Sequence, residues 1–293
     1  MNDVLPDAPT TPGAYRWYYL DAGAGDWTAV AIFMVGAQFS YRYSVGAERG
    51  EPPDRHCAVN FALYQAGRRR AWVFSEFPRA QQDGNTLRIG DSTFSVESGR
   101  VAARIDARQA PFGQRIQAEL VLEPLCHGDT EVALLPGEAH YWQAVVPRAV
   151  GALCVPAFGV DGVGHGYHDT NHGEAPLGRG LRGWMWSRAH GAETTEIEYR
   201  AFGGGSVIGV TAGRDGVELR RRPVQDQPLR RSGWGLSLPA VEASTLESSP
   251  FYARLEQRRP GQHTMTEVAD FSRFHSPWFR WMSRFRSRVE ACR

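Results

Sequence analysis

Short runs in which apolar and polar residues alternate dominate the first half of the chain. The clearest of them cover residues 27–43, 57–65, 70–77, 86–96 and 115–124. Alternation with a period of two is typical of a β-strand with one buried face, and the runs have the length of strands rather than of helices. We therefore predict strands in each of these runs.

Pairs of glycine and aspartate suited to tight hairpin turns join several of the strands. These pairs are Asp83-Gly84, Gly90-Asp91 and, in the second half, Asp215-Gly216. No helical segment between the strands is long enough for a parallel crossover, so the pattern predicts an all-β fold of antiparallel barrels or sandwiches. Turn residues flank a short strand within 133–151. They indicate a passage between two β-domains, which we place at residues 1–150 and 151–293.

One segment near the C-terminus has the period of a helix. Ser276 is a suitable N-cap and Pro277 a suitable first helical residue. The apolar side chains that follow share one face, with arginines opposite: Trp278, Trp281, Met282, Phe285 and Val289. We predict a C-terminal amphipathic helix. It has two interpretations: its aromatic stripe docks on a barrel, or it contacts a membrane surface.

Composition narrows the chemistry and the partners. The chain has 293 residues and a net charge of +1, so no global field attracts nucleic acid. Every basic residue is arginine. Enzymes that use a lysine Schiff base and P-loop nucleotide-binding proteins are therefore excluded, because both need a lysine. The four cysteines lie far apart, which argues against zinc fingers and a disulfide framework. With no secretory signal and no apolar run of about 20 residues, we expect a cytoplasmic protein, with the terminal helix peripheral at the inner membrane face.

The stretch GHGYHDTNHG, residues 164–173, concentrates polar side chains between glycines. It has three interpretations: a metal site, an acid–base site, or a polar turn. The glycines disfavour a helix, and no second cluster of ligands supports a metal, so we predict none. Read as a strand, the stretch places Tyr167, Asp169 and Asn171 on one face, and His168, Thr170 and His172 on the other.

Two other stretches repeat this spacing of two. His140 shares a face with Trp142, and Trp184 shares a face with Trp186. If these strands face one interior, they predict an aromatic cavity with few ionisable groups. Burial in such a cavity would raise the pKa of Asp169 and keep it neutral. A neutral carboxyl among ring faces is suited to protonating an isolated carbon–carbon double bond, because the rings stabilise the resulting cation.

Segments along nearly the whole chain resemble the carotenoid 1,2-hydratase family, also called hydroxyneurosporene synthase. They occur in the family's order: GAYRWYYLDA, FMVGAQFS, HCAVNFALY, EAHYWQAVVP, GYHDTNHG, RGLRGWMWSR, SPFYARL and RFHSPWFRWMSRFR. The resemblance implies two lipocalin-like β-domains, no cofactor, and addition of water to a terminal isoprenoid double bond. The family's glycine–tyrosine–histidine–aspartate motif falls on Gly166, Tyr167, His168 and Asp169, and its histidine-x-tryptophan motif on His140 and Trp142.

The chain departs from the family pattern at two positions. Thr170 and His172 stand where the pattern has histidine and tryptophan. Both lie on the predicted face opposite Asp169, so the acid is kept while the substrate can differ from a linear carotenoid. Two alternatives stay open. A terpenoid cyclase or pericyclase of the same fold would fold a polyene instead of hydrating it, and a carrier would bind a hydrophobic ligand unchanged.

The leading hypothesis is a hydro-lyase that acts on an acyclic carotenoid or similar isoprenoid. Asp169 would protonate the alkene, and His140 would orient the water or accept its proton. Trp142, Tyr167 and the pair Trp184 and Trp186 would stabilise the cation. Asn171 would hold the hydrogen-bond network. The predicted substrate-binding residues are Asn171, Trp184, Trp186 and His168.

Overall fold

The structure is a computed structural model that describes residues 4–109, 113–137, 139–272, 278, 281 and 287–290. Its strands are β1 (Tyr15–Ala24), β2 (Trp27–Val35), β3 (Cys57–Gln65), β4 (Arg68–Phe77), β5 (Gln81–Asp83), β6 (Thr86–Ile89), β7 (Ser92–Glu97), β8 (Arg100–Arg108), β9 (Arg115–Cys126), β10 (Val132–Ala133), β11 (His140–Val155), β12 (Val160–Gly173), β13 (Gly183–His190), β14 (Thr195–Ala201), β15 (Ser206–Gly213), β16 (Gly216–Pro223), β17 (Leu229–Arg231), β18 (Ser237–Pro239), β19 (Ser244–Ser248), β20 (Tyr252–Arg259), β21 (Gln262–Asp270) and β22 (Arg288–Val289). A short helix, α1 (Tyr41–Glu48), follows β2.

Two large sheets form the molecule. The first has the order β22-β4-β3-β2-β1-β12-β11-β9-β8-β7-β6-β5, with β10 added beside β11, and it curls into a half-barrel. The second has the order β16-β15-β14-β13-β21-β20-β19. A two-stranded ribbon, β17 with β18, completes the described strands. Neighbouring strands run antiparallel except β22, which lies parallel to β4. The predicted antiparallel β architecture is confirmed.

The curled sheet is buried on both faces at its centre. One face, including Tyr18, Leu20 and Phe94, packs inside the half-barrel. The opposite face, including Trp17 and Tyr19, packs against the second sheet. Strand β1 and the second half of β12, residues 166–173, therefore have nearly continuous burial, whereas β8 near the edge alternates between buried and exposed residues. Side chains from the centre of the sheet that face the second sheet are cut off from solvent.

The structure corrects the prediction of strand over the whole of 27–43. The strand ends at Val35, and Tyr41 begins α1. Ser40 caps the helix, because its hydroxyl accepts hydrogen bonds from the backbone N–H groups of Arg42 and Tyr43, at 3.0 and 3.3 Å. The aromatic residues of this segment imitate strand alternation, but the cap determines the local structure.

Most of the predicted C-terminal helix lies outside the described residues. Trp278 and Trp281 are described; both are exposed, and their ring centroids are 5.4 Å apart. Val289, which we assigned to the helix, lies instead in β22 beside β4. Within the described part of the chain, no helix has the length and apolar character needed to cross a membrane.

The chain passes from the first sheet to the second between Gly173 and Gly183. Position 150, where we divided the chain, lies inside β11, and both β11 and β12 belong to the first sheet. The two-domain division stays a prediction.

Candidate active site

Asp169 lies on β12 at the centre of the first sheet and faces the second sheet. Its direct neighbour across the strand pair is Tyr19 of β1. Alternation along β12 brings Tyr167 and Asn171 to the same face, where both contact the Asp169 carboxyl group. Only 5% of Asp169 is exposed. The grouping of these three side chains therefore follows from strand geometry alone.

Three donors hold the Asp169 carboxyl group. Oδ2 accepts hydrogen bonds from the indole Nε1 of Trp142, at 3.0 Å, and from the hydroxyl of Tyr167, at 2.8 Å. Oδ1 accepts a longer bond, 3.3 Å, from the amide Nδ2 of Asn171. Two donors on one oxygen leave Oδ1 as the better position for a proton.

Burial raises the pKa of Asp169 to about 7. The hydrogen bonds from Trp142 and Tyr167 act in the opposite direction because they stabilise the carboxylate, while the negative charges of Glu267 and Asp21 add to the increase. The group can thus carry a proton near neutral pH, as an acid catalyst requires.

Aromatic rings surround this carboxyl group on the side of the second sheet. The Trp186 ring centroid is 5.4 Å from that of Tyr167 and 5.6 Å from that of Tyr19. Trp184 lies one step along the same face of β13, with its centroid 5.8 Å from that of Trp17. The structure therefore brings the two predicted tryptophans of β13 to the same interface as Asp169.

A buried ion pair lies next to this aromatic group. Asp21 of β1 contacts Arg188 of β13, and both are fully buried. The Arg188 guanidinium carbon is 5.4 Å from the ring centroid of Tyr167. The pair therefore joins one sheet to the other beside the tyrosine that donates to Asp169.

A cavity opens between the sheets beside the acid. Its volume is about 60 Å³. Its walls are mainly aromatic and aliphatic, with Trp17, Tyr19, Phe39, Phe74, Trp184 and Tyr252 among them, and its polar lining residues are Asn60, Glu247 and Glu267. Asp169 does not line this space, whereas its neighbour Tyr19 does. The acid therefore lies one side chain deeper than the cavity wall.

His140 is buried but is held away from the carboxyl group by other partners. Its Nδ1 accepts a hydrogen bond from the Tyr15 hydroxyl at 3.0 Å, and its Nε2 donates to the backbone carbonyl of Arg179 at 3.1 Å. A Cβ at position 173 would lie 2.7 Å from His140 Nδ1 and 2.6 Å from the Tyr15 ring. Glycine is therefore needed at position 173, where the side chains of Tyr15 and His140 lie close against the backbone of β12.

The structure places His168 on the other face of β12, away from the cavity. Its Nδ1 donates to the backbone carbonyl of Tyr19 at 2.8 Å, and its ring lies 5.3 Å from that of Phe94 inside the half-barrel. Burial lowers the pKa of His168 to about 4, so the ring is neutral. This placement does not support the predicted contact between His168 and substrate, because alternation turns neighbouring side chains to opposite faces.

The two positions that depart from the family pattern make structural contacts. The Thr170 hydroxyl donates to the backbone carbonyl of Trp17 at 3.0 Å. His172 contacts Glu131 at 2.7 Å and stacks on Tyr141, with centroids 4.9 Å apart. Neither side chain contacts the Asp169 carboxyl group.

Sequence reasoning missed several residues of this site. Tyr15, Trp17, Tyr19 and Asp21 repeat the spacing of two along β1, so the pattern itself could have indicated them. Arg188 and Glu267 could not have been found this way, because only the packing of one sheet on the other brings them to Asp21 and to the cavity.

Known carotenoid hydratases are similar to this chain over most of its length. The carotenoid hydratase family CrtC matches residues 31–291. An acyclic carotenoid 1,2-hydratase from Thiocapsa roseopersicina is 32% identical, covering 96% of this chain and 74% of its own. Another, from Rubrivivax gelatinosus, is 31% identical, covering 85% of this chain and 66% of its own.

The fold also matches a solved structure. The crystal structure of CghA with Sch210972 aligns with a TM-score of 0.52 at 12% identity, covering 92% of this chain and 97% of that one. At this identity the match shows the fold alone, and it agrees with the lipocalin-like β architecture that the resemblance implied. Sequence homology indicates the activity: the chain is homologous to acyclic carotenoid 1,2-hydratases, which are hydro-lyases. It belongs to the CrtC family of carotenoid hydratases.

Proposed function

We propose that this protein adds water to the terminal double bond of an acyclic carotenoid or a related isoprenoid. The observation that carries the proposal is the buried carboxyl group of Asp169, whose pKa of about 7 lets it hold a proton near neutral pH and whose donors stabilise the carboxylate that proton transfer leaves. Family membership supplies the substrate class, and the aromatic interface supplies the surroundings that a carbocation needs.

The first step is transfer of the Asp169 proton to the alkene. Trp142 and Tyr167 hold Oδ2, so the proton on Oδ1 is the one available to the substrate. The π electrons of the double bond form the new C–H bond at the less substituted carbon, and a tertiary cation remains at its neighbour. Both donors then stabilise the carboxylate that the step leaves behind.

The rings beside Asp169 stabilise the cation. Trp142 and Tyr167 contact the acid directly, Trp186 packs on Tyr167, and Trp184 continues the aromatic wall toward the cavity. Ring quadrupoles attract a cation over their faces, and this attraction increases when water is excluded. Tyr19 separates the acid from the cavity, so the substrate end group must displace this side chain to reach Oδ1.

The role of His140 is a positioning one in this scheme. Its two ring nitrogens already bond Tyr15 and Arg179, which leaves no free nitrogen to accept a proton from water. We propose that it fixes the ends of β1 and β11 against each other, so that Trp142 keeps its bond to Asp169.

The test is Asp169→Asn, assayed with an acyclic carotenoid that ends in an isopropylidene group. General acid catalysis contributes about 10²- to 10⁴-fold, so we expect at least this loss of hydrated product while the protein stays folded. Asp161→Asn is the matched control, because Asp161 lies on the same strand but is exposed. Wild-type turnover by Asp169→Asn would overturn the proposal.

Product mass separates hydration from the other hypotheses. A hydratase yields a product heavier by one water, whereas a cyclase or pericyclase yields an isomer of unchanged mass. A carrier returns the polyene unchanged, and its affinity does not depend on Asp169. Hydrated product from the wild-type protein therefore supports the proposal against both alternatives.

A further inference from the structure

The second sheet brings a charged cluster to the cavity wall. Arg254 of β20 donates from Nε to Glu267 Oε1 at 2.9 Å, and from Nη1 to Glu247 Oε1 at 3.0 Å and to the Tyr64 hydroxyl at 2.6 Å. All four residues are buried. One arginine thus faces two carboxylates, and both carboxylates line an otherwise apolar cavity. Burying such a cluster costs desolvation free energy unless its charges are fully paired, so a functional role would explain its presence.

Glu267 is the carboxylate nearer the aromatic rings around Asp169. It pairs directly with Trp186 across β21 and β13, so both side chains are on the same face of the sheet. Trp186 in turn contacts Tyr19 and Tyr167. Arg254 occupies Oε1 of Glu267, while Oε2 accepts no hydrogen bond from the part of the chain that the structure describes. A free carboxylate oxygen therefore borders the cavity.

Two hydroxyls in the same wall also have unused hydrogen-bonding capacity. The hydroxyls of Tyr19 and Tyr252 are buried, line the cavity, and have no hydrogen-bond partner among the described residues. Buried polar groups in native proteins are normally satisfied, and a water molecule is the usual partner where protein groups are absent. These hydroxyls and Glu267 Oε2 belong to residues of one cavity wall, where a water molecule would have polar partners beside the aromatic rings.

We propose that Glu267 is the base that accepts the proton of the attacking water. This inference rests on the proposed hydration. Asp169 and Glu267 would then act from opposite sheets: the neutral carboxyl group gives a proton to the alkene, and the carboxylate receives one from water. Electrostatic coupling agrees with their proximity, since the charge of Glu267 raises the pKa of both Tyr19 and Asp169.

The step balances without any further reactant. A lone pair of the water oxygen forms the C–O bond to the tertiary cation, and the resulting oxonium passes one proton to Oε2 of Glu267. The substrate has gained one hydrogen and one hydroxyl. The protein holds the same number of protons as before, with the proton on Glu267 instead of Asp169, and exchange with solvent restores the starting state.

The experiment compares Glu267→Gln with the wild type in D₂O, using the same acyclic carotenoid. Mass spectrometry and proton NMR measure hydrated product and deuterium at the alkene carbon of recovered substrate. In the variant, Asp169, which carries a deuteron in D₂O, still transfers it to the alkene, and the cation then loses the original proton of that carbon to the Asp169 carboxylate, so deuterium enters recovered substrate. Because water addition lacks its base, we expect hydrated product to fall by about 10²-fold. A purely structural role of Glu267 would reduce both signals together.

The control is Glu256→Gln. Glu256 is an equally buried, ion-paired carboxylate of β20, bonded to His263 and Arg258, and it does not line the cavity. We expect it to keep both hydration and exchange, with folding checked by circular dichroism for each variant. Wild-type hydration by Glu267→Gln overturns the inference, as does loss of both hydration and exchange in a folded variant. If Asp169→Asn hydrates normally, the proposed function fails instead, whatever Glu267 does.

Discussion

The chemistry of this site depends on a balance around one carboxyl group. Burial favours the neutral form of Asp169, while hydrogen bonds from Trp142 and Tyr167 favour the carboxylate. A carboxyl group that is only desolvated would hold its proton too tightly to be a good acid. The two donors correct this, because they stabilise the product of proton transfer more than the starting acid.

The pH dependence of activity should follow from this balance. Only protonated Asp169 can act as the acid, and its pKa is raised to about 7. We expect kcat/KM to be constant at lower pH and to fall tenfold per pH unit once the pH exceeds about 7. Initial rates measured from pH 5 to pH 9 check this. A rate that rises through neutral pH would mean that the reaction needs the carboxylate.

Trp142→Phe tests the contribution of the indole donor. The substitution removes the hydrogen bond from Nε1 to Asp169 Oδ2, which lowers the pKa of Asp169 in the wild type. The pH at which activity falls should therefore move upward, by about one unit or less for one neutral hydrogen bond. Trp234→Phe is the control, since Trp234 is exposed. A downward shift in the pH profile of Trp142→Phe would contradict the assignment.

At the scale of elements, strand alternation made much of the site predictable. Tyr167, Asp169 and Asn171 share a face because side chains alternate, and the same rule placed Trp142 and Trp184. The rule could not reveal α1, whose start depends on one cap, or the partners of His140. It also gave no pairing register, so the direct pairing of Tyr19 on β1 with Asp169 on β12 could not be predicted.

Glycines of β12 keep that pairing tight, and Gly164→Ala tests this. A Cβ at position 164 would overlap the backbone carbonyl oxygen of Gly23 on β1. The strands would have to separate at this end of the β1–β12 pair, and we expect a loss of about 1–3 kcal/mol in the free energy of unfolding. Urea denaturation measures the loss. Gly205→Ala is the control, because a Cβ there meets open space; equal losses in both variants would refute the close approach.

For the whole molecule, the position of one sheet against the other makes the site. Asp169, Tyr167 and Trp142 come from the first sheet, while Trp186, Arg188 and Glu267 come from the second. No sequence period links residues on two sheets, which explains why the pattern indicated the acid and the tryptophans of β13 but missed Arg188 and Glu267. The interface is largely aromatic, and directional contacts cross it as well, among them the buried pair of Asp21 and Arg188 and the bond from Arg254 to the Tyr64 hydroxyl.

A double-mutant cycle on this ion pair tests whether it fixes the two sheets. Asp21→Asn leaves the Arg188 charge buried without its partner, and Arg188→Met leaves the Asp21 charge in the same state. Each single variant should lose about 3–5 kcal/mol in the free energy of unfolding, measured by urea denaturation. The double variant buries no unpaired charge, so it should be more stable than either single variant.

The hydration activity of the double variant should stay low even so, because Tyr167 loses the guanidinium beneath its ring and Asp169 loses a nearby negative charge that raises its pKa. Additive losses of stability would show that the two charges act independently, and full activity in the double variant would show that the pair has no part in positioning Tyr167.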